Sequence, residues 1–89
     1  MVNRAFLISG CVQGVFFRDS TKKEALKLGL QGSAVNLSDG TVKVCLRGVN
    51  EDIDLLERWL HKGPELAKVE SVIEVDIDQQ LELNGFEVG

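Results

Sequence analysis

Gln31-Gly32-Ser33-Ala34-Val35-Asn36-Leu37-Ser38-Asp39-Gly40-Thr41-Val42-Lys43-Val44-Cys45-Leu46-Arg47 is the stretch on which the fold turns. From Thr41 to Arg47 the residues alternate, with Val42, Val44 and Leu46 on one face and Lys43, Cys45 and Arg47 on the other. That is the period of a half-buried strand. Gln31 to Leu37 reads as a weaker strand. Ser38-Asp39-Gly40 between them reads as a hairpin turn, in which Gly40 suits a positive backbone angle.

Upstream of this hairpin, the spacing predicts a helix from about Phe17 to Leu28. Phe17, Thr21, Ala25 and Leu28 share one face, and Lys22, Lys23 and Lys27 lie mainly away from it. Gly29 is its natural stop. Val2 to Ser9 is β-prone and ends at Gly10, and Gly10 to Gly14 reads as a loop needing unusual backbone angles. Downstream, Asn50 is a plausible N-cap for a second helix through Lys62, with Ile53, Leu56 and Leu60 as its inner stripe and Gly63-Pro64 as its end. Val69, Ser71, Ile73, Val75 and Ile77 alternate with acidic residues as a fourth strand, and Phe86 to Val88 forms a short last one. The order is βαββαβ with an appended strand. Its simplest packing is an α+β sandwich, two helices on one face of a mostly antiparallel sheet. A right-handed crossover points strands one and two the same way, and strand three inserts between them, antiparallel to both. The loop after strand one, the start of helix one and the end of strand two then share one edge.

Length and composition bound what such a sheet can serve. The 89 residues give one domain, residues 1–89, and 44% hydrophobic with 27% charged residues exclude a disordered chain. No apolar run approaches the roughly 20 residues needed to span a bilayer. No leader pattern opens the chain, and two cysteines are no disulfide framework, so the expected compartment is the cytoplasm, with Cys11 and Cys45 as free thiols. Residues 1–64 carry nine Lys/Arg against seven Asp/Glu, whereas residues 65–89 carry one Lys against seven acids. Net charge −4 and no basic face argue against a nucleic-acid partner. One His and no Cys/His cluster offer no metal site; His61 reads as a helix-end residue and Trp59 as packing.

On the shared edge, Gly10-Cys11-Val12-Gln13-Gly14-Val15-Phe16-Phe17-Arg18 leads into a helix N-terminus. Such a loop can aim several backbone N–H groups at one point, where the helix dipole favours an anion, and a guanidinium can hold a phosphate through two parallel bonds. It is neither a Walker A loop nor GxGxxG. From these residues alone, a glycine-rich connection in which Arg18 pairs with Asp19 is the favoured reading. Asn36, roughly 10 Å from strand one if strand three intervenes, could orient a water through its neutral amide. It also reads as an ordinary residue before a turn.

The stretch from Gly10 to Arg18 resembles the first signature of the acylphosphatase family, G-x-V-Q-G-V-x-F-R, and Thr21 matches a common family position. Gly32 to Val42 resembles the second signature, with Asn36, Gly40 and Val42 in register. The resemblance implies a ferredoxin-like α/β sandwich that hydrolyses the carboxyl–phosphate bond of acyl phosphates without metal or cofactor. It implies Arg18 as phosphate binder, with the backbone N–H groups of Val12, Gln13, Gly14, Val15, Phe16, Phe17 and Arg18 completing the cradle. Asn36 would orient the attacking water, and Thr21 would support. The expected partners are a small acyl phosphate and inorganic phosphate, as product and inhibitor, acting on a monomer. Ser33 stands where the family usually has an aromatic residue and Val35 where it has a long polar one. The competing readings are a non-catalytic anion-binding module, like the similar domains within hydrogenase-maturation proteins, and an RNA-binding domain. The latter needs stacking aromatics on strand three, and Thr41 to Arg47 has none.

Overall fold

Strand β1 (Val2–Cys11) lies inside the sheet, with β3 (Val42–Gly48) antiparallel on one side and β4 (Lys68–Val75) antiparallel on the other. The structure, a computed structural model, describes all residues 1–89. Beyond β3 comes β2 (Gln31–Asn36), antiparallel to it, and then β5 (Phe86–Val88), parallel to β2. The order β4-β1-β3-β2-β5 therefore places β3 between β1 and β2, as the crossover argument requires. Helices α1 (Phe17–Lys27) and α2 (Asn50–Lys62) pack on one face and complete the α+β sandwich. No helix is long and apolar enough to cross a membrane.

The core follows from the alternation. Phe6 and Ile8 of β1, Ala34 of β2, and Val42, Val44 and Leu46 of β3 meet Phe17 and Ala25 of α1 and Ile53, Leu56 and Leu60 of α2. Helix α1 stops at a left-handed Gly29 (φ 71°), where Leu30 N–H bonds Ala25 O at 2.9 Å and Gly29 N–H bonds Leu26 O at 3.1 Å. Those two bonds satisfy carbonyls that the helix end would otherwise orphan.

Several expectations change: Gly10 and Cys11, read as loop, extend β1, and β4 ends at Val75, before Ile77. The cap of α2 is Val49, with no side-chain cap bond, and Asn50 is the first helical residue. Its Oδ1 accepts instead from Arg4 Nη1 at 3.1 Å, so tertiary pairing outcompetes the cap. In β4, strict alternation puts Val69, Ser71, Ile73 and Val75 on one face. The register instead slips between Ser9 and Gly10, leaving Glu70 as an extra residue. A one-residue bulge reverses the side-chain phase. Val69 and Val72 thus pack on the core, and Ile73 is exposed on the helix-free face. The bulge needs Gly10: a Cβ there would lie 2.1 Å from the Lys68 carbonyl oxygen.

Segment 76–85 carries the chain from one edge strand to the other, and Asn3 holds it. Asn3 Nδ2 donates to the carbonyls of Asp78 (3.0 Å) and Leu81 (2.8 Å), its Oδ1 accepts from Arg47 (3.0 Å), and Gln79 pairs with its backbone. All of this lies at the end of the sheet away from the loop after β1.

Candidate active site

At that other end three pieces of chain meet: residues 12–18, the end of β2, and residues 86–89 alongside it. Val12 and Phe17, each 1% exposed, root the first piece in the core at both ends. Between them the backbone turns through left-handed conformations at Gly14 (φ 73°) and Phe16 (φ 61°). Gly14 takes this freely, whereas for a phenylalanine it is an outlier. The result is a run of amides with nothing of the protein to bond. None of the backbone N–H groups from Val12 to Asp19 donates to a protein acceptor, and the first that does is Ser20, to Phe16 O at 3.0 Å. Unpaired donors on such a turn, at a helix start, make a concavity suited to an oxyanion.

Arg18 is the second residue of α1, half-buried, and its Nη1 donates to the main-chain oxygen of Gly89. That same oxygen accepts the backbone N–H of Asn36 at 3.1 Å, and Gly89 N–H donates to Ala34 O at 3.0 Å. One main-chain oxygen therefore ties the guanidinium of α1 to the end of β2. Asp19, the sequence-adjacent acid, pairs instead with Lys23 at 3.5 Å, so the Arg18–Asp19 pairing does not form. Asn36 closes β2 opposite Val42, and its Oδ1 is buried without a hydrogen-bond partner. Buried polar atoms without partners are few in native proteins.

Gln13 joins the loop to the hairpin. Its Nε2 donates to both Leu37 O and Thr41 O at 2.9 Å, so the turn carrying Asn36 is clamped to the segment carrying the free amides. Within that turn, Asp39 Oδ1 accepts the Thr41 hydroxyl (2.6 Å) and N–H (3.0 Å), which holds the Asp39 carboxyl below the usual range. Thr21 stands apart: it is buried, and its hydroxyl donates to Phe17 O at 2.8 Å inside α1. Val15 packs partly on the core. Cys11 is exposed beside the loop and Cys45 is half-buried, both as free thiols.

A cleft of about 220 Å³ opens between Gly14, Phe16, Arg18 and Val88. A larger hollow of about 430 Å³ lies at the opposite end of the sheet, between Arg47 and residues 79–84. There Arg47 is engaged by Asn3, and none of the free amides is near. No three His, Cys, Asp or Glu side chains converge in the chain to hold a metal ion. The smaller cleft is equipped to hold a tetrahedral anion between amides and a guanidinium. Val88 and Gly89 are site residues that no sequence pattern marks, because a parallel edge pairing between residues 34 and 88 leaves no local signal.

The family model for Acylphosphatase matches residues 4–88. An acylphosphatase of Alkalilimnicola ehrlichii is 48% identical over 86 residues, which span 97% of this chain and 96% of that relative. Among solved structures, an acylphosphatase from Coxiella burnetii superimposes with a TM-score of 0.90 at 38% identity, covering 99% of this chain and 92% of that one. HypF from T. kodakarensis superimposes with a TM-score of 0.86 at 28% identity, over all of this chain but only 12% of its own.

Proposed function

The chain belongs to the acylphosphatase family, and on that premise we propose how its residues divide the hydrolysis of an acyl phosphate. As an acylphosphatase it converts a small acyl phosphate and water to a carboxylate and inorganic phosphate. In our reading, the backbone N–H groups of residues 12–18 and the Arg18 guanidinium hold the phosphoryl oxygens. Phosphoryl transfer depends mainly on positioning and on stabilising charge spread over those oxygens. Asn36 Oδ1 accepts a hydrogen bond from the attacking water and aims it at phosphorus. The P–O bond to the acyl group breaks as the bond to water forms. The carboxylate leaves as an anion, needing no strong general acid, and a phosphoryl oxygen takes the water's proton.

The observation that carries this reading is the unbroken run of unpaired amides from Val12 to Asp19, opening beside Arg18. The unpartnered Asn36 Oδ1 supports the water's place, since a water needs an acceptor there. Thr21, engaged within α1, supports the helix and not the ligand. We propose that the chain acts as a monomeric, single-domain enzyme in the cytoplasm. The test is hydrolysis of benzoyl phosphate by the purified chain in EDTA, with inorganic phosphate as inhibitor. Turnover should persist with the chelator. Arg18→Gln should abolish turnover and phosphate inhibition together, because one guanidinium serves substrate and product. Turnover that vanishes with EDTA and returns with a divalent ion, or phosphate inhibition unchanged in Arg18→Gln, would defeat the assignment. No hydrolysis at all would leave the anion-binding module.

A further inference from the structure

Two adjacent phenylalanines meet opposite fates beside the cradle. Phe17 is 1% exposed, with its ring 5.9 Å from that of Trp59. Phe16 is 74% exposed. The backbone separates them: Phe16 sits at φ 61° and ψ 23°, the one non-glycine residue with positive φ in the chain. That conformation strains a residue with a bulky side chain, and glycine or asparagine would adopt it with less cost. An exposed ring gains nothing from burial in return. Neither backbone preference nor core packing accounts for a phenylalanine here.

The ring's position does account for it. Phe16 stands on the cleft formed with Gly14 and Arg18, and Val88, 41% exposed, lines the same cleft. An acyl phosphate has two halves. If the amides and Arg18 take the phosphoryl half, the acyl half must leave the cradle along this wall.

We propose that Phe16 and Val88 form the subsite for the acyl group, selecting aromatic and branched apolar acyl phosphates over short ones. This rests on the acylphosphatase reading and adds the substrate class to it. Strain at a functional position is a familiar way to hold a side chain where a ligand needs it.

The experiment compares kcat/KM for benzoyl phosphate and acetyl phosphate in the wild type, Phe16→Asn, Phe16→Tyr and Val88→Ser. Asparagine tolerates the left-handed backbone, so the loop keeps its shape while the ring is lost. The benzoyl-to-acetyl ratio should fall about tenfold in Phe16→Asn, chiefly through KM, in line with the discrimination an apolar pocket provides. Phe16→Tyr should keep the ratio, and Val88→Ser, confirmed folded by circular dichroism, should lower it severalfold. A ratio unchanged in both Phe16→Asn and Val88→Ser overturns the subsite. That holds even if both substrates slow equally, since the ring would then be shaping the loop alone. A wild type that hydrolyses neither substrate defeats the acylphosphatase reading itself and the subsite with it.

Discussion

Asn36 presents a buried side-chain oxygen with no partner, while its backbone N–H holds Gly89. Asn36→Ala removes the first and keeps the second, so the substitution isolates the role proposed for the side chain. It should lower kcat by about 10²–10³, the scale of losing one preorganised hydrogen-bonding group at a reacting centre. Inhibition by inorganic phosphate should stay near wild type, because a group that acts only in the transition state does not hold the product. A folded variant with wild-type kcat would take Asn36 out of the mechanism. At this scale the stretch Gly10 to Arg18 was informative as a motif: it pointed to a loop, a helix start and one cation. It did not reveal which partner Arg18 takes. Residues i and i+1 on a helix do not face each other, so adjacency to Asp19 was no guide, and Lys23 captured that acid one turn on. Nor did it reveal the left-handed backbone of Phe16, which arises from rooting Val12 and Phe17 in the core on either side.

Between elements, the decisive link is the Gln13 amide, which spans two carbonyls of the β2–β3 turn. Those carbonyls keep backbone partners without it: Leu37 O accepts Gly40 N–H at 3.2 Å and Thr41 O accepts Leu37 N–H at 2.8 Å. Gln13→Ala should therefore cost only about 1 kcal/mol of stability. It should lower kcat about tenfold or more, because small displacements of a positioned group cost rate steeply. Urea unfolding beside steady-state kinetics checks this. A stability loss with kcat intact would make Gln13 a purely structural brace. Element types were legible because the Val42–Leu46 alternation and the inner stripe of α2 are strongly periodic, and the place of β3 between β1 and β2 followed from the crossover rule, whereas the neighbours of β4 and β5 did not. The facing of β4 was not legible either, since its phase is set by a bulge against Gly10 of another strand. Asn50 does not cap α2 as its sequence position suggests, because Arg4, far away in sequence, recruits it.

Across the whole molecule, Arg4 fastens three elements. Its guanidinium makes a paired contact with Glu74 of β4 at 2.9 Å on both sides and reaches Asp54 (2.6 Å) and Glu57 (3.3 Å) of α2, lying 5.3 Å over the Phe6 ring. The Arg4 hydrogen bonds hold the Glu74 carboxyl below its ordinary value of 4.5. A carboxyl depressed in the folded state stabilises above its unfolded value, and that contribution fades as pH falls through the lower, folded one. Glu74 is about half exposed, so the contribution is about 1 kcal/mol or less. The urea midpoint of Glu74→Gln should lie below wild type at neutral pH, and the gap should close as pH falls below about 4.5 and through the lower value of the folded carboxyl. A gap that stays constant with pH would show that the charge of Glu74 is not what fastens β4. These long-range pairings, like Asn3 with segment 76–85, left no mark in the sequence because their partners stand 50 to 78 positions apart. A similar separation governs the Gly89 oxygen that joins Arg18 to Asn36, a contact bridging 71 positions. Closing so long a loop is entropically slow, and chains rich in such contacts fold late and cooperatively. A refolding chain can form its hairpin and both helices and still be inert. Catalysis should switch on only when the final strand docks, so regained turnover marks the last kinetic phase of folding.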